Sequence, residues 1–265
     1  MKKYILPLLI VSGVVASVGF TSDEKPKILM CNTEECGTED SVKLSLEGTR
    51  KKVNVLARDN AFVMEKYDAF AEVLNTAYRK ERSMTAQEVQ EVCIGVEFAA
   101  EKHRLQTRKN AEKTPYISHP IGVAHHLMNI GEVRDVSIII AALLHDTLED
   151  TRTTFEEIEG SFGKQVAEYV REVTDDRSLA TEERKRHQIV SAANKSKGAA
   201  QIKLADKLYN LNDLLENPPK DWTQSRIDRY YEWAQSVINR LPKANDKLLS
   251  AVDEVIDSYW EKQQK

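Results

Sequence analysis

Four places in this chain hold residues that an apolar helix would not choose. His119 stands before Pro120, and His145-Asp146 follows the run Ile138-Ile139-Ile140-Ala141-Ala142-Leu143-Leu144. Glu149-Asp150 comes four residues after that pair, and Asp206 lies inside Ile202-Lys203-Leu204-Ala205-Asp206-Lys207-Leu208. A buried carboxylate is costly unless it is paired or holds a metal. Two imidazoles and two carboxylates form a mixed nitrogen–oxygen donor set suited to Mn²⁺, Fe²⁺ or Zn²⁺. The lack of thiolates argues against a closed structural zinc site. Four protein donors on an octahedral ion leave room for water and substrate, the condition for a catalytic centre. At about 3.6 residues per turn, Glu149 falls one turn past His145 and Asp150 one turn past Asp146. Singly, each group has an ordinary reading, as a satisfied core histidine or as helix-end charge in solvent. Together, on a stretch this apolar, they favour the metal.

Helices must position these groups. Thr85-Ala86-Gln87-Glu88 is a capping box; it opens a helix to about Leu105 that carries Val89, Val92, Cys93, Val96, Phe98 and Ala99 at helical spacing. The pattern predicts further helices at Ile121–Ile130, Val133–Leu148, Phe155–Glu159, Lys164–Val173 and Glu182–Ala193. Three more follow at Ala199–Leu215, Gln224–Leu241 and Asn245–Trp260. Gly131, Gly160, Gly163, Gly198, Pro218-Pro219 and Pro242 punctuate them. No strand-period run of useful length follows residue 60, so residues 83–262 read as an all-α, bundle-like domain.

Residues 23–82 form an N-terminal extension of unassigned role. Alternating Val42, Leu44 and Leu46, then Val53 and Val55, predict a small hairpin turning at Gly48. Phe62, Val63, Tyr67, Phe70, Val73, Leu74 and Tyr78 predict a helix packed on the main domain. Residues 1–22 join a basic start, Met1-Lys2-Lys3-Tyr4, to an apolar run from Ile5 to Phe20, and read as a secretory signal. The expected location is periplasmic or secreted; the alternatives are an uncleaved anchor that ties the protein to a membrane, or a cytoplasmic protein. After export, Cys31 and Cys36 could close a local disulfide, whereas Cys93 reads as a small core residue.

Composition sets the outer limits. The chain has 265 residues, 38 Lys+Arg and 42 Asp+Glu, for a formal net charge of -4. That balance argues against a nucleic-acid partner, which would call for a basic stripe. A hydrophobic fraction of 41% with three Cys fits a soluble globule that needs no disulfide scaffold. Nothing in the sequence fixes an oligomeric state.

A longer string extends the donor set. It comprises Arg108-Lys109, Thr114-Pro115-Tyr116-Ile117-Ser118-His119-Pro120, Ala141 through Asp150, and Lys203-Leu204-Ala205-Asp206-Lys207-Leu208-Tyr209-Asn210-Leu211. With Phe155–Thr174 and Tyr231-Glu232-Trp233-Ala234, it resembles the HD phosphohydrolase superfamily over about residues 88 to 260. Within that superfamily it is most similar to the hydrolase domain of the RelA/SpoT enzymes and to their stand-alone metazoan homologues. The resemblance implies an HD-domain helical bundle that removes the 3′-pyrophosphate of guanosine 3′,5′-bis(diphosphate), the stringent-response alarmone, with Mn²⁺. By position, His119, His145, Asp146 and Asp206 would hold the ion, and Glu149 and Asp150 would orient or deprotonate the attacking water. Arg108, Lys109 and Asn210 would contact the nucleotide, and Arg226 and Tyr230, at i, i+4 on one helix face, would close over the distal phosphates. His125-His126 maps to no ligand of the family and reads as a partly exposed helix face. An export signal sits awkwardly with a cytosolic substrate. Two alternatives therefore stand: an exported nucleotide phosphatase with the same site, for example acting on the 2′-phosphate of NADPH, and a non-catalytic nucleotide- or metal-binding protein.

Overall fold

Short polar side chains begin most of the helices. In this computed structural model, which describes residues 38–81 and 83–264, Thr38 caps α1 (Glu39–Leu56) and Asn60 caps α2 (Ala61–Thr76). A short π-helical turn, Ala77–Glu81, follows α2. The capping box of α3 (Ala86–Lys102) is formed: the Glu88 amide donates to Thr85 Oγ1 at 3.2 Å, and the Thr85 amide donates to Glu88 Oε2 at 2.7 Å. Next come α4 (Ser118–Asn129), α5 (Val136–Leu144), the single turn α6 (Thr147–Asp150), α7 (Phe155–Phe162) and α8 (Lys164–Val173). The chain closes with α9 (Thr181–Ser191), α10 (Lys197–Glu216), α11 (Gln224–Ile238) and α12 (Asp246–Gln263). Among the described residues the only β pairing is an isolated antiparallel bridge, Thr107 with Pro115. It closes the loop that carries Arg108 and Lys109.

The core is organised around α5, whose residues from Ile138 to Leu144 are all buried. A helix that is apolar all round has to be covered all round: α3, α4, α8 and α10 pack against it, and α12 lies along α10. Cys93 is buried in α3, as its context predicts. Beyond this layer, α1 packs on α3 and α2 on α4, and their buried Val53, Val63, Tyr67 and Phe70 belong to the same apolar cluster as α5.

Two expectations are corrected. Residues 41–56 are helix, not a hairpin. Val42, Thr49 and Val53 are buried on the helix that faces α3, while Leu44 and Val55 are 56% and 73% exposed. The alternation mixed inward and outward apolar residues, and Gly48 lies within the helix with open space where a Cβ would be. The second correction is the helix expected over Val133–Leu148, which stops at Leu144. The α7 helix, conversely, runs past Glu159 to Phe162. The leader and the Cys31–Cys36 pair lie outside the described residues. Among those described, no helix is long and apolar enough to cross a membrane.

Candidate active site

The stop after Leu144 shapes the site. A helix leaves its last carbonyls without intrahelical partners, and here side chains take two of them. His145 Nδ1 donates to the Ala142 carbonyl at 2.8 Å, and Thr147 Oγ1 donates to the Leu144 carbonyl at 2.7 Å. With its Nδ1 proton committed to the backbone, a neutral His145 presents an Nε2 lone pair inward. On one continuous helix, neighbours 145 and 146 would diverge by about 100°. At the break both face His119, the second residue of α4.

Four donor atoms converge there. His119 Nε2 is 3.2 Å from His145 Nε2, 3.4 Å from Asp146 Oδ2 and 3.3 Å from Asp206 Oδ1. His145 Nε2 is 3.0 Å from Asp146 Oδ2 and 3.8 Å from Asp206 Oδ1. Donor atoms of His119, His145 and Asp206 all lie within 4.8 Å of one another, and all three residues are buried. Burial opposes a charge on either carboxylate. The His145 and His119 imidazoles outweigh it at Asp146, and Lys207 with the two imidazoles outweighs it at Asp206, so both stay well below the usual carboxylate range. Burial likewise opposes charge on His145, yet Asp146 and Asp206 raise its pKa. Tyr116 donates to Asp146 Oδ2 at 2.6 Å, and Asn210 donates to Asp206 Oδ1 at 2.7 Å. Two ionised carboxylates and two inward nitrogens, steadied from outside by hydrogen-bond donors, fit a divalent cation.

Glu149 and Asp150 occupy α6, one turn beyond. Glu149 Oε1 pairs with Arg177 Nε at 2.9 Å, Glu149 Oε2 accepts the Asp175 amide at 3.2 Å, and Asp150 pairs with the same guanidinium. Burial, aided by the Asp175 carboxylate, raises the pKa of Glu149.

A cleft of about 550 Å³ runs past this cluster, lined in part by Arg108, Lys109, Asp150, Asn210 and Tyr230. Arg108 donates to Asn210 Oδ1 and to Asp213 Oδ2, both at 2.8 Å, and its guanidinium lies 5.7 Å from the Tyr116 ring and 5.6 Å from that of Tyr209. Asn210 thus joins Arg108 to Asp206. Lys109 is exposed at the rim. Arg226 stands outside the lining and stacks on Trp222 at 4.2 Å, and Trp222 lies 5.8 Å from Tyr230. Sequence reasoning missed Arg177, Trp222 and the part played by Tyr116. The first two sit on connections whose approach to the site no helical spacing encodes, while Tyr116 lay inside the motif string before His119. His125 and His126 are half-buried, on the partly exposed helix face expected. The His126 ring is 5.8 Å from that of Tyr209, and burial pushes its pKa down to about 4, so it stays neutral.

Comparison with known proteins agrees with this geometry. Residues 95–232 match the HD domain family. The zebrafish (Danio rerio) protein named guanosine-3′,5′-bis(diphosphate) 3′-pyrophosphohydrolase MESH1 is 55% identical over 165 residues, 62% of this chain and 89% of its own length. The Homo sapiens protein of the same name is 48% identical over 62% of this chain and 92% of its own length. The solved structure described as a metazoan ortholog of SpoT that hydrolyzes ppGpp superposes with a TM-score of 0.62 at 46% identity, over 64% of this chain and 95% of that one. The chain belongs to the HD-domain family, in which it groups with the metazoan SpoT-type proteins.

Proposed function

We propose that the protein hydrolyses guanosine 3′,5′-bis(diphosphate) to GDP and pyrophosphate. The observation that carries this is the buried donor cluster of His119, His145, Asp146 and Asp206. Tyr116 and Asn210 each bond a donor carboxylate and also line the cationic, aromatic cleft. Relatives named for this reaction match 62% and 64% of this chain. We assign Mn²⁺ to the cluster. A bound divalent ion supplies Lewis acidity toward the phosphoryl group and makes water more acidic.

The chain's own groups do the rest. Glu149 and Asp150 hold the attacking water, and burial beside Asp175, which raises the pKa of Glu149, makes it a stronger base than an ordinary carboxylate. The water oxygen joins the phosphorus attached to the 3′ oxygen; that P–O bond breaks, and GDP departs with its 3′-hydroxyl restored. Arg108 offers a flat cation for a purine, with Tyr116 and Tyr209 beside it. Lys109 gives a point charge for phosphate, and Tyr230 lines the cleft where the distal phosphates would lie, with Arg226 outside it behind Trp222.

The test is product release by the purified protein with Mn²⁺, offered the alarmone, NADPH and common nucleotides side by side. Pyrophosphate from the alarmone is the expected result. Orthophosphate from NADPH in its place would reassign the substrate, and silence on every substrate with metal bound would make this a binding protein. We also assign export to residues 1–22. N-terminal sequencing of the mature protein from the cell envelope checks it, and an intact leader in the cytosolic fraction would refute it.

A further inference from the structure

Arg177 has no part in the reading above, yet it makes contacts that bear on the reaction. It sits in the connection between α8 and α9, its side chain 53% exposed, and it lines the same cleft as Arg108 and Lys109. The connection is anchored on both sides of it. The Asp176 carboxylate accepts the Ser178 amide at 2.8 Å and the Ser178 hydroxyl at 2.6 Å, the Asp175 amide donates to Glu149 at 3.2 Å, and Gln188 of α9 bonds Asp175. Its guanidinium reaches back to both acids of α6, with Nε at 2.9 Å from Glu149.

The acids need an external partner. Their helix is a single four-residue turn, too short to fix side chains by packing along its length. Their neighbours Asp146 and Asp175 are also acidic and act on Glu149 unfavourably. A substrate with two diphosphates would bring more negative charge to the same place. A planar guanidinium fork can hold two carboxylates at once, which an ammonium cannot do with the same geometry.

We propose that Arg177 is a positioning residue: it bridges Glu149 and Asp150 and fixes their orientation at the edge of the cleft. This rests on the pyrophosphohydrolase reading. Because Arg177 acts through the acids, its removal slows turnover more than it weakens substrate binding.

Steady-state pyrophosphate release by the full-length protein, wild type against Arg177→Gln and Arg177→Lys, tests this. Arg177→Gln should lower kcat by about 10- to 100-fold, with KM changed less than about threefold. Arg177→Lys should restore part of the loss. In a Glu149→Gln background the same substitution should add little, because the two residues act as a unit. A rise in KM at unchanged kcat would overturn the proposal in favour of direct substrate binding, and fully additive losses would overturn it as well. Carbon-13 titration of the Glu149 carboxyl in the metal-free protein supplies a readout without turnover: Arg177→Gln should move it upward, and an unmoved titration refutes the bridge. Wild-type protein that releases no pyrophosphate from the alarmone would sink the functional reading, while the carboxyl titration still decides the role of Arg177.

Discussion

In α1 and α2 the ionised side chains sit outside and pair across the surface, as Arg50 does with Asp68 at 2.6 Å, each about half exposed. The interior there is Val53, Tyr67 and Phe70. In α4, α5 and α10 the order is reversed. His119, His145 and Asp206 are buried beside Ile121, Leu143 and Leu144, with their polar atoms turned toward one another. Charges left in water contribute little to stability. Buried ones oppose folding unless tightly partnered. The first region is thus held mainly by apolar area, with Lys52 and Thr49 of α1 both meeting Glu97 of α3 at 2.8 Å at its edge. The second retains an arrangement that stability by itself would not favour, and such an arrangement marks function.

Substitutions in the two regions should separate these roles. His119→Ala should cut kcat/KM for pyrophosphate release by about 1000-fold or more, roughly 4 kcal/mol of barrier, and should lower metal stoichiometry; full activity with no metal bound would break the contrast. Phe70→Ala, at a fully buried site, should destabilise the fold by about 3–5 kcal/mol. In a chain of this size that is about 2–4 °C of Tm per kcal/mol by calorimetry. Its kcat at 25 °C should match wild type; a comparable drop in kcat would show that α2 and the site are coupled through α4. Tyr116→Phe, which removes the donor to Asp146, should weaken metal binding by about 10- to 100-fold with little change in Tm.

Acidity should also divide the regions. The pKa of His145 is raised in the folded, metal-free protein, by Asp146 and Asp206 against burial. The stabilisation from that proton is fully present below the unfolded value of about 6.5 and is lost as pH climbs through the raised folded value. The cation needs the neutral ring, so its affinity runs the other way, rising with pH over that window by up to about tenfold per unit. Titration calorimetry at several pH values checks the slope, and an affinity that stays flat across the window would contradict it. The smallest effect belongs to Arg50→Ala, expected to cost under about 1 kcal/mol and to shrink further in high salt.

The sequence made these two regions legible to different degrees. The donor residues stood out because His and Asp interrupt an apolar run, and Thr85 with Glu88 announced the start of α3. The α1 helix was misread because Leu44 and Val55 are apolar yet exposed, so they completed a false two-residue period. The break at His145 was hidden because the residues that stop α5 cap it with side chains, and neither Gly nor Pro marks the place. Arg177 was invisible for another reason: its partners at 149 and 150 lie across a connection, and only the folded chain brings them together.

That break also makes part of the site local in the chain and part of it dependent on packing. His145 takes its orientation from Ala142, three residues away, so half of the site can form as soon as the end of α5 forms. Asp206 lies far along the chain and completes the set only when α10 docks on α4 and α5. Asp206 is therefore the donor whose place depends on the docking of α10.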